Sequence, residues 1–166
     1  AKRGHKLLKD KRDELMRQFL ELVRENKELR RKVEARLQQA NSHMQVARSV
    51  MSDAALDVAL MLPMQEMSVD ISEENVMSVL LPVFTSKFKT ADASDIYPYG
   101  FAFTSSDLDF AVKSLSDLMP DLMRLAEIEK SCQLMSGEIE KTRRRVNALE
   151  HVMIPQYEDS IKYITM

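Results

Sequence analysis

KLLKDKRDELMRQFLELVRENKELRRKVEARLQQA, from Lys6 to Ala40, contains neither glycine nor proline. Its apolar residues recur at Leu8, Leu15, Phe19, Leu22, Leu29, Val33 and Leu37. The series continues through Ala40, Met44, Ala47, Met51, Ala54, Val58 and Met61. With Arg12 and Asn26 filling the polar gaps, the steps alternate between four and three. That is the a/d spacing of a helix whose apolar stripe faces another helix. Leu29, Val33 and Leu37 give two successive steps of four, a local eleven-residue repeat that is expected to relax a left-handed supercoil. Only Gly4 breaks the absence of Gly and Pro from 2 to 62, so one helix of about 90 Å fits at ~1.5 Å per residue.

Pro63 ends this pattern. Beyond it, Met67, Val69 and Ile71 alternate with Ser68 and Asp70, and Val76 to Phe84 is rich in β-branched residues. These read as two strands of a hairpin turning at Glu73-Glu74-Asn75, with Pro82 limiting the second strand. Residues 85–99 read as an exposed loop, and Gly100 to Thr104 as a further short strand. Ser105 or Ser106 is placed to cap a second helix with Asp107 and Asp109 in its first turn. Its stripe runs through Leu108, Leu115, Leu118, Leu122, Leu125, Cys132, Met135, Ile139, Thr142, Val146, Leu149, Met153, Tyr157 and Ile164, with Pro120 and Pro155 expected to bend it. Neither helix can bury its stripe alone. The expected fold is therefore mainly α: a long antiparallel two-helix coiled coil with a small β-hairpin region inserted between the helices. The expected divisions are 1–62, 63–104 and 105–166.

Composition narrows the functions. Gly4, Gly100 and Gly137 are too far apart for a phosphate-cradling loop. The single cysteine, Cys132, excludes an intrachain disulfide and a cysteine-based zinc site. Cys132 falls on the second stripe and reads as a small buried hydrophobe. His5, His43 and His151 stand at no metal-ligand spacing and read as solvated helix residues. No catalytic residue, metal site or cofactor site emerges, and the apolar run 54–62 is too short to span a bilayer.

The net charge of −2 conceals a polarity. Residues 1–36 carry 13 Lys/Arg against 7 Asp/Glu, a net of +6; residues 37–129 net −9 and residues 130–166 net +1. Lys2, Arg3, Lys6, Lys9, Lys11 and Arg12 open the chain, and Arg143-Arg144-Arg145 lies on the second helix. An acidic protein surface gripping the end that holds both termini fits this better than nucleic acid does, because the middle is acidic.

RGHKLLKDKRDEL (Arg3 to Leu15) and KTRRRVNALEHVMIPQYEDSIKYI (Lys141 to Ile164) resemble the D subunit of the V-type and A-type rotary ATPases, and NVMSVLLPVF (Asn75 to Phe84) does so more loosely. The resemblance spans nearly the whole chain in the same order. Family members usually carry residues before the first segment and after the last, so the resemblance implies a trimmed subunit. It implies a central rotor axle with no catalytic residues and no cofactor, cytoplasmic and peripheral to the membrane through the ATPase. The end bearing the termini would sit inside a hexamer of catalytic A and non-catalytic B subunits. Arg3, Lys6, Lys9, Arg12, Arg143, Arg144, Arg145 and Tyr157 are the candidate hexamer contacts. The middle region would lie near the F subunit and the funnel-shaped subunit on the membrane ring, with Met67, Val69, Ile71, Val76, Val79 and Leu81 as candidate F-subunit or regulatory contacts. Apart from the motifs, helix–hairpin–helix also fits a prefoldin-like chaperone subunit or a basic-ended tether on nucleic acid.

The stripes suggest a register. Setting the sum of facing residue numbers to 168 puts Leu15 against Met153, Phe19 against Leu149 and Leu29 against Ile139. It also matches Asn26 with Thr142 and Arg12 with Gln156, which makes Asn26 and Thr142 the expected register-setting layer.

Overall fold

The computed structural model describes residues 2–61, 66–88 and 106–166. Helix α1 runs Lys2–Val50 and a short α2 runs Asp53–Ala59. Strands β1 (Met67–Val76) and β2 (Val79–Phe88) form a two-stranded hairpin. Helix α3 runs Ser106–Ala148, passes through a π-helical turn at Leu149–Met153, and continues as α4, Ile154–Thr165. The mainly α fold with an inserted hairpin is therefore the one the stripes predict. Of the loop expected at 85–99, residues 85–88 instead continue strand β2 as far as Phe88, because the ladder with β1 extends past Phe84. The remainder, 89–99, the strand at Gly100 to Thr104 and the Ser105 cap lie outside the described residues. Ser106 opens α3, with Asp107 and Asp109 in the first turn.

The first helix is shorter than the absence of Gly and Pro suggests. It ends at Val50, and Ser52 starts a new helix by accepting a 3.2 Å hydrogen bond from the Ala55 N–H at its Oγ. An N-cap serine stabilises a helix start inside an otherwise unbroken pattern. The restart also changes the phase of the stripe. Ala47 is the last fully buried a/d residue of α1; Val58 and Met61 are 71% exposed, and α2 buries Leu56 and Ala59 instead.

The hairpin turns beyond the expected Glu73-Glu74-Asn75, at Met77-Ser78, both with positive φ (52° and 69°). Asn75 shapes this turn, because its Oδ1 accepts the Ser78 N–H at 2.9 Å. Two successive left-handed residues match the twist of a two-residue hairpin loop. Pro82 lies inside β2 rather than at its end. The loop makes 76:79 a hydrogen-bonded pair, so the pairs 74:81 and 72:83 are bonded and 75:80, 73:82 and 71:84 are not. The missing Pro82 N–H therefore faces away from β1, and no ladder bond is lost.

The chain divides into two compact units. The first comprises 1–25, 73–82 and 128–166. Its core is Leu15, Met135, Ile139, Val79 and Leu81, with Phe19, Leu22, Val76, Met77 and Leu134 against it. Here α1 and α3 run antiparallel, with Lys11 Nζ 3.4 Å from Glu138 Oε1. The second comprises 26–72 and 83–127. Ala47, Leu56, Ala59 and Leu108 form its core, flanked by Met44, Met51 and Val112. Asp121 is held by Lys32 at 3.2 Å and Arg36 at 3.5 Å.

The register differs from expectation. Leu15 packs with Met135 and Ile139, not Met153, which is 39% exposed. Pairing Leu15 with Ile139 lowers the sum from 168 to 154, a shift of two heptads. In the second unit Arg36 with Asp121 and His43 with Asp107 likewise fall far below 168. A shift of whole heptads keeps every a/d residue on the seam, so the stripe itself cannot exclude it. Hairpin packing distinguishes this register, since Val79 and Leu81 enter the cluster around Leu15. Thr142 is fully buried, yet its hydroxyl donates to the Glu138 carbonyl at 2.9 Å, so it needs no polar partner across the seam.

Candidate interaction surfaces

The basic residues of the first unit do not form one uniform patch. Lys9 Nζ lies 3.2 Å from Glu150 Oε1, and the same oxygen is 3.1 Å from His5 Nε2. The His5 ring nitrogen is close to that carboxylate but out of line for a hydrogen bond. The Lys9 ammonium holds the Glu150 carboxyl below the usual carboxylate range, with burial opposing it and His5 adding a smaller downward push. Glu150 stands in the π turn, whose cause is Pro155. A proline ring clashes with the carbonyl four residues back and brings no N–H, and widening the turn by one residue relieves both. The trio is thus set by a proline on the second helix and a lysine and histidine on the first. At the terminal end Lys2 Nζ meets Glu158 at 3.1 Å, which brings the two ends of the described chain together.

Of the basic candidates, Lys9 holds Glu150, Arg12 holds Asp13 at 3.2 Å, and Arg143 and Arg144 share Glu140 at 2.8 and 3.5 Å. Arg143 holds the Glu140 carboxyl below its ordinary value. Arg3, Lys6 and Arg145 are exposed and form no ion pair among the described residues. Tyr157 is 51% exposed on α4, a helix with no buried residue. Exposed pairs of this kind contribute little to stability and exchange partners readily.

The hairpin candidates separate by face. Val79 and Leu81 are buried in the helix core and half-buried Val76 packs beside them, so these three brace the hairpin rather than present it. Met67, Val69 and Ile71 lie on the opposite face, where Ile71 is 69% exposed and Leu80 54%. The parity of the strands separates the two sets, and reading six apolar residues together hid it.

Two of the three histidines are not free on the surface. His5 has the environment just described, and His43 stacks on Phe110 (5.4 Å between centroids, 29° between planes) with its Nδ1 3.2 Å from Asp107. Neither contact is visible in local spacing, because each partner lies more than 60 residues away in sequence. Cys132 is half-buried, and burial followed by the Glu129 charge pushes its thiol up, away from the reactive thiolate. Among the described residues no group of three or more His, Cys, Asp or Glu is placed to hold a metal ion, and no described helix is long and apolar enough to cross a membrane.

The sequence matches the family model of the ATP synthase D subunit over residues 1–166. The chain belongs to the ATP synthase D-subunit family. It is 60% identical over 166 residues to the V-type ATP synthase D subunit of Acetivibrio thermocellus, covering all of this chain and 75% of that one. It is 62% identical over 167 residues to the counterpart in Clostridioides difficile, covering all of this chain and 74% of the relative. A V-type ATP synthase D subunit from Clostridium botulinum is 54% identical over 165 residues, 99% of this chain and 78% of that one. Membership in the D-subunit family makes the chain a component of a V-type ATP synthase complex. Its surfaces are accordingly read as places where such a component meets its neighbours.

Proposed function

We propose that this chain is the central rotor shaft of a V/A-type ion-translocating ATPase. It would be non-catalytic itself and would couple ATP hydrolysis in the catalytic A/B hexamer to rotation of the membrane ring. The observation that carries the proposal is a D-subunit sequence with two long helices, α1 of 49 and α3 of 43 residues, that pack antiparallel within each compact unit. At ~1.5 Å per residue these are about 74 and 65 Å long. Torque transmission needs this geometry, because paired helices that share buried seams resist bending and twisting better than one. An asymmetric shaft in a ring of three catalytic interfaces presses each differently, and so links nucleotide state to angle through differential contact.

In this reading the basic terminal end enters the hexamer. Arg3, Lys6 and Arg145 are the strongest contacts because no carboxylate in their own unit engages them; Lys9, Arg12, Arg143, Arg144 and Tyr157 surround them. The hairpin side meets the F subunit or modulates hydrolysis, with Met67, Val69 and Ile71 as its contact residues, and the funnel-shaped subunit lies beyond. The chain would be cytoplasmic and peripheral, tied to the membrane only through the complex. Family membership favours this over a prefoldin-like chaperone or a nucleic-acid tether.

The test is hexamer binding as a function of salt. Neutralising Arg3, Lys6 and Arg145 together is expected to weaken binding and flatten its salt dependence, since screening acts on charge pairs. An unchanged salt slope in the triple variant would remove the basic end from the interface.

A further inference from the structure

The two outer edges of the hairpin differ. The outer edge of β2 is closed at its middle. Pro82 has no N–H to offer there, and the outward Phe84 N–H donates to Glu127 Oε2 at 3.0 Å. That bond also confirms the pairing parity, because Phe84 must face away from β1 to reach α3. On β1 the corresponding outward groups belong to Val69, Ile71 and Glu73. Their N–H groups have no hydrogen-bond partner among the described residues, and residues 70–75 are all exposed. A row of open donors and acceptors of this length is a template for another strand.

Charge selects the occupant. Within Met67–Val76 the strand carries Asp70, Glu73 and Glu74 and no basic residue. Lys87 on β2 engages Asp70 at 3.1 Å; no basic side chain among the described residues is paired with Glu73 or Glu74. Two copies of β1 placed edge to edge would set acid against acid, and like charges facing across a ladder are destabilising. A strand with Lys or Arg at alternate positions would instead meet carboxylates while completing the ladder. We propose that the outer edge of β1 accepts an extended, basic segment of a partner polypeptide as a third strand of the hairpin. The proposal concerns main-chain pairing at this edge and stands independently of the shaft reading.

The test uses the full chain and an acetylated, amidated octapeptide of alternating lysine and valine, with a glutamate–valine octapeptide as control. The lysine peptide is expected to bind and to slow amide exchange at Val69, Ile71 and Glu73, leaving Leu80, outward on β2, unchanged. Ile71→Pro removes an outward N–H that the β1–β2 ladder does not use. It should weaken binding at least tenfold, while Ile71→Ala, which keeps the N–H, changes it less than threefold. Glu73→Lys with Glu74→Lys should weaken the lysine peptide at least tenfold. If Ile71→Pro disrupts the hairpin, seen as lost protection at Val83, the wild-type exchange pattern decides. Absence of binding at millimolar peptide, equal binding of the glutamate peptide, protection without Val69 and Ile71, or self-association through β1 would each overturn the proposal.

Discussion

Met135→Ala and Met153→Ala separate the observed register from its heptad-shifted alternative. Both methionines lie on the same a/d stripe, and by stripe alone either can face Leu15. In the structure Met135 has no exposed surface and lies in the Leu15–Val79–Leu81–Ile139 cluster, whereas Met153 is 39% exposed beyond the buried part of the seam. Truncating a fully buried methionine costs about 2–5 kcal/mol, the transfer term plus the cavity left among neighbours that cannot collapse. Met153→Ala should cost less than about 1 kcal/mol, as side chains away from the core do. For a chain of this size Met135→Ala should lower the melting temperature by roughly 4–20 °C, at ~2–4 °C per kcal/mol. The assay is urea unfolding followed by far-UV circular dichroism, with a double-mutant cycle to Leu15→Ala. A coupling of about 0.5–3 kcal/mol is expected between Leu15 and Met135, and none beyond ~0.5 kcal/mol between Leu15 and Met153. Equal losses for the two methionines, or coupling that appears with Met153, would refute the register.

Two further outcomes follow from local geometry. Met77 and Ser78 hold left-handed backbone at a cost of about 1–2 kcal/mol each, and Asn-Gly in their place should stabilise the hairpin; slower exchange of the Val83 amide checks it, and faster exchange would contradict the turn assignment. The Glu150 carboxyl is held below its unfolded value by Lys9 and His5, so its contribution is complete above the unfolded carboxylate pKa and is lost as pH falls through the lower folded value. Between about pH 5 and 3 wild type should lose more stability than Lys9→Met, and parallel pH curves would mean that this pair is absent in solution.

The parts of the fold that depend on local pattern were legible in the sequence. Apolar spacing yields both long helices and their antiparallel pairing, and alternation at Met67–Ile71 yields a strand. What escaped depends on contacts distant in sequence or on competition between equal local signals. Ser52 can lie within a helix or cap one, and the stripe does not choose. Glu73-Glu74-Asn75 has turn composition, but Asn75 exerts its effect three residues on, by holding Ser78. Heptad shifts leave the seam pattern intact, and the polar match of Asn26 with Thr142 carried too little weight, because Thr142 satisfies its hydroxyl on its own helix. His5, Lys9 and Glu150 converge only once α1 and the π turn are in place. The candidate surfaces were legible as charge and resemblance. Which cations stay unpaired, and which hairpin residues face inward, required coordinates.

The central claim is that this chain turns inside the A/B hexamer and that its rotation is tied to hydrolysis. The most direct measurement is ATP turnover of the reconstituted complex with Arg145→Cys joined by a reversible disulfide to a cysteine on the facing wall of the hexamer. The account predicts that turnover falls at least tenfold when the bond is closed and recovers on reduction; undiminished turnover with the cross-link complete would contradict it.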